Sequence, residues 1–159
     1  MRMAELLDEL TALYEPRLKD RGIQLRVHCA DKTPTVLANP GEIRQLLSNL
    51  IANGIDALGE AGILSIRVRP WHREDAPFVM VAVADNGSGI EPRNLRRLFE
   101  PFFTTKKDVG TGLGLWICEQ IAKRHGGSIR VRSRLGRGTV FRVELPALQD
   151  QSRAATAGG

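Results

Sequence analysis

Five polar side chains recur at helical spacing along residues 40–58: Glu42, Gln45, Asn49, Asn53 and Asp56. Wound at about 100° per residue they fall in one narrow stripe, while Ile43, Leu47, Leu50, Ile51 and Leu58 occupy the far side. Most polar stripes are solvated helix faces, but such faces favour Lys, Arg and Glu. Two asparagines one turn apart lose helix propensity and gain only where their amides find partners. Carboxamide and carboxylate oxygens suit a magnesium ion that keeps several waters and is otherwise held by phosphates. The stripe alone leaves both readings open.

A second group is Asp85, Asn86, Gly87, Ser88, Gly89 and Ile90, at the end of an apolar run. An acid leaving a strand edge can accept from an exocyclic amine while a planar ring slides against glycines that permit close approach. A plain chain reversal would use the same glycines. The third group is Gly110, Thr111, Gly112, Leu113, Gly114 and Leu115, a glycine-rich loop running into a helix whose free amides and positive end favour an anion. No Gly-Lys-Ser/Thr follows, which excludes the Walker P-loop, and no strand precedes it as a dinucleotide fingerprint requires.

The elements that must position these groups are legible from period and punctuation. Residues 3–19 place Leu6, Leu7, Leu10, Leu13, Tyr14 and Leu18 three and four apart, an amphipathic helix whose last turn Pro16 is expected to break. Residues 23–29 alternate as a strand, and residues 35–38 form a short extended piece. The helix 40–58 opens with Asn39 as N-cap, Pro40 at the first position and Glu42 at capping-box spacing, and closes at Gly59. Strands are predicted at 63–69 and 78–85, joined by a polar loop containing Trp71 and Pro77; the second is apolar enough to be covered on both faces. Residues 86–112 show no stable period apart from a turn of helix at 92–99, as a functional lid would. In it Phe99, Phe102 and Phe103 are expected to anchor one end. A helix at 113–125 and strands at 128–134 and 139–145 complete the domain. The fold class is an α/β two-layer sandwich: a mixed, mostly antiparallel sheet, helices on one face and a flexible lid, spanning residues 1–146, with 147–159 a disordered tail.

Composition excludes several classes. At 159 residues the chain suits one domain able to bury roughly two thirds of its unfolded surface. Its 42% apolar and 26% charged residues are those of a globular protein, and no apolar run could span a bilayer. The net charge of +5 raises nucleic-acid binding, but arginines alternate with apolar residues in strands and aromatics are only 5%, so an open sheet face explains them. Cys29 and Cys118 lack CxxC spacing and read as buried thiols in a reducing cytoplasm.

The motifs together resemble the histidine-kinase branch of the GHKL ATPases. Asn49, Leu50, Ile51, Ala52 and Asn53 look like its N box; residues 85–89 resemble the first glycine box; Phe99 through Lys106 resemble the F box; and residues 110–115 resemble the second glycine box, all in the family's order. The resemblance covers residues 3–146 and implies the Bergerat fold with ATP and Mg²⁺ between helices and lid. It implies that Asn53 binds the metal, Asn49 and Asp56 support the phosphates or the ion, and Asp85 takes the adenine amine. Gly87, Gly89 and Ile90 would border the ring, and Phe103, Thr104, Thr105 and Lys106 would belong to the nucleotide-contacting lid. Gly110, Thr111, Gly112, Leu113, Gly114 and Leu115 would cap the phosphates, and Thr139 would support Asp85.

Where hydrolytic branches of the superfamily carry a glutamate base, this chain has Asn49, which cannot take a proton at neutral pH, so transfer to a protein acceptor is favoured over hydrolysis. Asp56 stands where several relatives carry a lysine, leaving less positive charge, which Lys106 or Lys107 would supply. The acceptor would be a histidine on a separate dimerisation bundle of the same kinase, and the next partner a response regulator, the segment itself being monomeric and touching neither membrane nor nucleic acid. His125, before Gly126 and Gly127, reads as a cation at a helix C-terminus. Two alternatives share the boxes: a serine kinase of the anti-sigma-factor type, and a nucleotide-binding switch without kinase activity. The Phe-Phe-Thr-Thr-Lys run and intact boxes favour the histidine kinase.

Overall fold

The computed structural model describes residues 1–104 and 112–149. The expected site residues Thr105, Lys106, Gly110 and Thr111, and residues 105–111 of the expected lid as a whole, lie outside the described residues.

Nine elements follow in the order α1 (Met3–Asp20), β1 (Ile23–Cys29), α2 (Pro40–Leu58), β2 (Gly62–Arg73), β3 (Ala76–Asp85), α3 (Pro92–Leu95), α4 (Gly114–Arg124), β4 (Ser128–Arg134) and β5 (Gly138–Pro146). The strands form one sheet ordered β1-β2-β3-β5-β4, in which β1 and β2 run parallel and every other pair is antiparallel. The parallel pair follows from α2, since two parallel neighbours need a crossover long enough to hold a helix. Asn39 caps α2 by accepting from the Glu42 amide, and Gly59 closes it. Leu46, Leu47, Leu50 and Ile55 are fully buried against Leu64, Val68, Val79, Val81 and Val143, which makes α2 the central rod of the core.

Three sequence expectations are corrected. Helix α1 runs through Pro16 to Asp20, because Leu18 is buried and fastens the last turn to the core. Trp71 and Pro77 lie within β2 and β3, where Trp71 pairs with Phe78 and His72 with Pro77. The connection shrinks to Glu74 and Asp75, both at positive φ as a two-residue hairpin turn requires. Ala147 bridges Val36 and is buried, and the Leu148 amide donates to the Thr35 carbonyl, so the ordered chain passes 146. His125 accepts from the Asn39 amide through Nε2 at 3.1 Å, with Nδ1 2.8 Å from the Ile121 carbonyl. Glu42 Oε2 lies 3.3 Å from the same Nε2, so His125 ties the end of α4 to the start of α2.

The sheet face away from the helices carries the arginines. Pleat alternation puts Arg67, Arg69, Arg73, Arg130, Arg132 and Arg142 there, with Arg130 directly opposite Arg142. Like charges in such pairs repel. Stacking relieves part of this: Arg69 and Arg142 lie over the Trp71 ring and Arg73 over Phe78. Glu144 relieves more, with one oxygen 2.7 Å from Arg73 and the other 2.7 Å from Arg142. Burial pushes the Glu144 carboxyl up, but hydrogen bonds and charge from Arg73 and Arg142 outweigh it and hold the group below its ordinary value. A depressed carboxylate contributes stability above its unfolded pKa and loses it as pH falls through the folded one. Glu144→Gln is expected to lower stability by about 1 kcal/mol at pH 7, the arginines being part-exposed. Urea titrations should show that gap closing once the pH falls below about 4.

Candidate functional site

Helix α2, the segment after β3, the start of α4 and strand β5 enclose a cleft of about 430 Å³. That volume suits a nucleotide-sized ligand. Its walls are Asn49, Ala52, Asn53, Asp56 and Ala57 from α2; Asp85, Ser88, Gly89 and Ile90; Leu98, Phe103 and Thr104; Gly112, Gly114 and Leu115; and Thr139 and Phe141 from β5. Of the described residues to which the resemblance gives a nucleotide role, Gly87 and Leu113 are not on the wall, and Glu42, Gln45 and Asn86 of the polar groups are not on it either. The Gly87 amide instead donates to Asp85 Oδ1 at 2.9 Å, and Leu113 is the N-cap residue of α4.

Asp85 is the last residue of β3 and pairs with Thr139 of β5. Burial pushes its carboxyl above the ordinary value of 3.8, against hydrogen bonds from the Gly87 and Thr139 backbone amides that favour the charged form. Thr139 is buried, and its hydroxyl lies 2.8 Å from Ser133 Oγ. Ser133 donates to the Gly138 carbonyl at 3.0 Å and accepts from the Ile90 amide at 2.8 Å. The segment bordering the cleft is thus tied to the β4–β5 hairpin. Sequence reading missed Ser133, although its place opposite Thr139 across a short hairpin was the available signal. It also missed Ala57, Leu98 and Phe141, and gave no role to Ala52 and Ser88 within their motifs.

The glycines divide by what surrounds them. Gly89 has φ +72°, and a Cβ there would lie 2.1 Å from the Arg134 carbonyl oxygen; a Cβ on Gly87 would meet the Ala57 carbonyl at 2.6 Å. Gly112, at φ +71°, lies against the Phe102 backbone. These three are required by contact of protein with protein. Gly114 differs, since a Cβ would meet only Asn49 Cγ, at 4.0 Å, and otherwise open cleft. The Asn49 amide nitrogen lies 3.4 Å from the Gly114 carbonyl and joins α2 to α4. Phe102 does not anchor the lid as expected: it is 74% exposed at φ 67°, where its amide donates to the Gly112 carbonyl, while Phe99 and Phe103 are partly buried. Behind the wall Cys118 is fully buried, with burial pushing its thiol up to about 12, whereas Cys29 is half-buried.

Residues 38–149 match the family described as histidine kinase-, DNA gyrase B-, and HSP90-like ATPase. The sensor histidine kinase ZraS of Salmonella typhimurium strain LT2 is 39% identical over 151 residues, covering 95% of this chain and 32% of ZraS. The chain spans about a third or less of the length of the curated relatives it matches. Among solved structures, the nucleotide-free catalytic domain of histidine kinase ThkA superposes with a TM-score of 0.82 at 34% identity, covering 92% of this chain and 93% of that one. ThkA in complex with response regulator protein TrrA aligns at TM-score 0.77 and 32% identity over 93% of this chain and 41% of that one. Full-length ShkA in complex with AMPPNP aligns at TM-score 0.82 and 30% identity over all of this chain and 33% of that one. On the fold, the cleft and these matches, the chain belongs to the histidine kinase-, DNA gyrase B-, and HSP90-like ATPase family, as the ATP-binding catalytic domain of a sensor histidine kinase.

Proposed function

We propose that the cleft holds ATP with its adenine at Asp85 and its phosphates between the α2 asparagines and the N-terminus of α4. The observation that carries this reading is the Asp85 carboxylate, held by the Gly87 and Thr139 amides on the wall of a nucleotide-sized cleft that also includes the open backbone at Gly114. Asp85 accepts from the exocyclic amine, Gly89 and Ile90 border the ring, and Thr139 holds Asp85 in place. Gly114 lets the first amides of α4 approach phosphate. The described wall offers only oxygen and nitrogen donors of the hard kind near the phosphates. Asn53 fits a magnesium ion held mostly by phosphate and water, which when bound would neutralise part of the phosphate charge.

Asn49 stands at the position from which a base would address water, and its carboxamide takes no proton at neutral pH. The γ-phosphoryl group therefore passes to a protein nucleophile. None of the chain's three histidines lines the cleft. A histidine on a dimerisation bundle of the same kinase is the acceptor we infer, with a response regulator receiver domain downstream, by likeness to ThkA and its partner TrrA. The domain acts as a monomer in the cytoplasm, and no helix among the described residues is long and apolar enough to cross a membrane. Relatives named as histidine kinases do not favour the serine-kinase or switch readings.

Calorimetry should detect ATP binding in the presence of magnesium while phosphate release stays at background; steady release at a gyrase-like rate would remove Asn49 from the role given it. Asp85→Asn should weaken ATP binding by about 1.5–3 kcal/mol, and GTP, which presents a carbonyl, should bind poorly. Because the Asp85 carboxyl is raised and must be ionised to accept, wild-type ATP affinity should begin to fall on acidification above pH 3.8, and Asp85→Asn should abolish that limb. Gly114→Ala should keep the wild-type melting temperature and lose ATP affinity, whereas Gly112→Ala should lower the melting temperature. Equal affinity of Gly114→Ala and wild type would leave α4 without a phosphate role.

A further inference from the structure

The described residues lining the cleft include two carboxylates, Asp56 and Asp85, and no lysine, arginine or histidine. For a site that takes a triphosphate this is an unfavourable balance. Asp85 stands at the adenine end, where its charge is used. Asp56 stands three residues beyond Asn53 on the same stripe of α2, at the phosphate end, where a carboxylate repels the ligand at any effective dielectric a protein offers. Helix α1 meets this from a distant part of the chain. The Arg17 Nη2 lies 3.5 Å from Asp56 Oδ1, on the last turns of a helix that packs on β1 and α2. Arg17 also lies outside the residues matched to the ATPase family.

We propose that Arg17 is a positioning residue for the nucleotide site: its guanidinium turns the Asp56 carboxylate away from the phosphates and cancels its charge, so that the stripe presents Asn49 and Asn53 to the triphosphate. The inference rests on the ATP reading above. Both partners are part-exposed, at 44% and 36% of their side chains, so in the empty cleft water screens the pair. A bound triphosphate displaces that water, and the neutralisation of Asp56 then counts for more than it does in the free protein. The end of α1 is held where it can deliver this charge: Leu18 is buried and fixes the turn, and Leu7 and Leu10 seat the helix beneath it. The continuation of α1 through Pro16 is what carries Arg17 to Asp56.

The test is a double-mutant cycle read by ATP-Mg²⁺ affinity at low and high salt, with melting temperatures to confirm folding. Arg17→Ala should weaken ATP binding roughly five- to tenfold at low salt, less at high salt, and Arg17→Lys should recover most of the loss. In an Asp56→Asn background, Arg17→Ala should change ATP affinity by less than about twofold, because the charge it cancels is gone. Two results overturn the proposal: Arg17→Ala binding ATP as wild type does, or the same loss persisting in the Asp56→Asn background, which would mean that Arg17 acts on phosphate directly. A purely structural role would lower the melting temperature and leave the loss indifferent to salt and to residue 56. Failure of wild type to bind ATP at all would instead refute the nucleotide reading, so the two failures are distinct.

Discussion

The pairing of the end of β3 with the start of β5 is the constraint on which the site depends. It puts Asp85 opposite Thr139 at the rim of the sheet, and it requires Gly138, where a Cβ would lie 2.0 Å from the Asp85 carbonyl oxygen. A carboxylate at such a rim is costly to bury, and its raised pKa registers that cost. Two backbone amides, from Gly87 and Thr139, keep it from being an uncompensated charge. The same hairpin fixes Ile90 through Ser133, and the Gly136 amide donates to the Ser88 carbonyl. The segment after β3 is therefore shaped by the sheet, although it carries no regular structure of its own.

Charge is distributed over the molecule in opposite ways on its two sides. The open sheet face concentrates guanidinium groups and restrains them with Trp71, Phe78 and one carboxylate, Glu144. On the cleft side the described wall is acidic; the free amides at the start of α4 favour an anion, while the oxygens of the α2 stripe suit a cation. A site arranged like this binds a phosphate chain only with its counter-cations in place. On the proposed reading magnesium is one, and Arg17, brought beside Asp56 by α1, is another.

Most of the scaffold was readable because its signals are local and mutually consistent. Helix α2 carries its cap, its first-turn proline and its closing glycine in sequence, and strands β1 and β4 follow from alternation alone. The hairpin joining β2 and β3 was misread because Pro77 and the Trp71 region look like loop residues; only the cross-strand partner Phe78 reveals a strand there. Phe102 was misplaced for a related reason: hydrophobicity argues for burial, but the backbone bond to Gly112 holds it outward. At the site, residues with distinctive chemistry were legible, Asn49, Asn53, Asp85 and the glycines among them. Their supports were not: Ser133 shows only through its register across the β4–β5 hairpin, and the place of Phe141 on the wall and the Arg17–Asp56 pair depend on segments far apart in the chain.

A crystal structure of the domain with magnesium and a non-hydrolysable ATP analogue tests the central claim most directly. The account predicts the adenine exocyclic nitrogen within hydrogen-bond distance of the Asp85 carboxylate, about 2.7–3.2 Å, with the phosphates along Asn49, Asn53 and the first turn of α4. A base bound elsewhere, or phosphates turned away from α4 with Asp85 still bonded only to its own backbone partners, would contradict it.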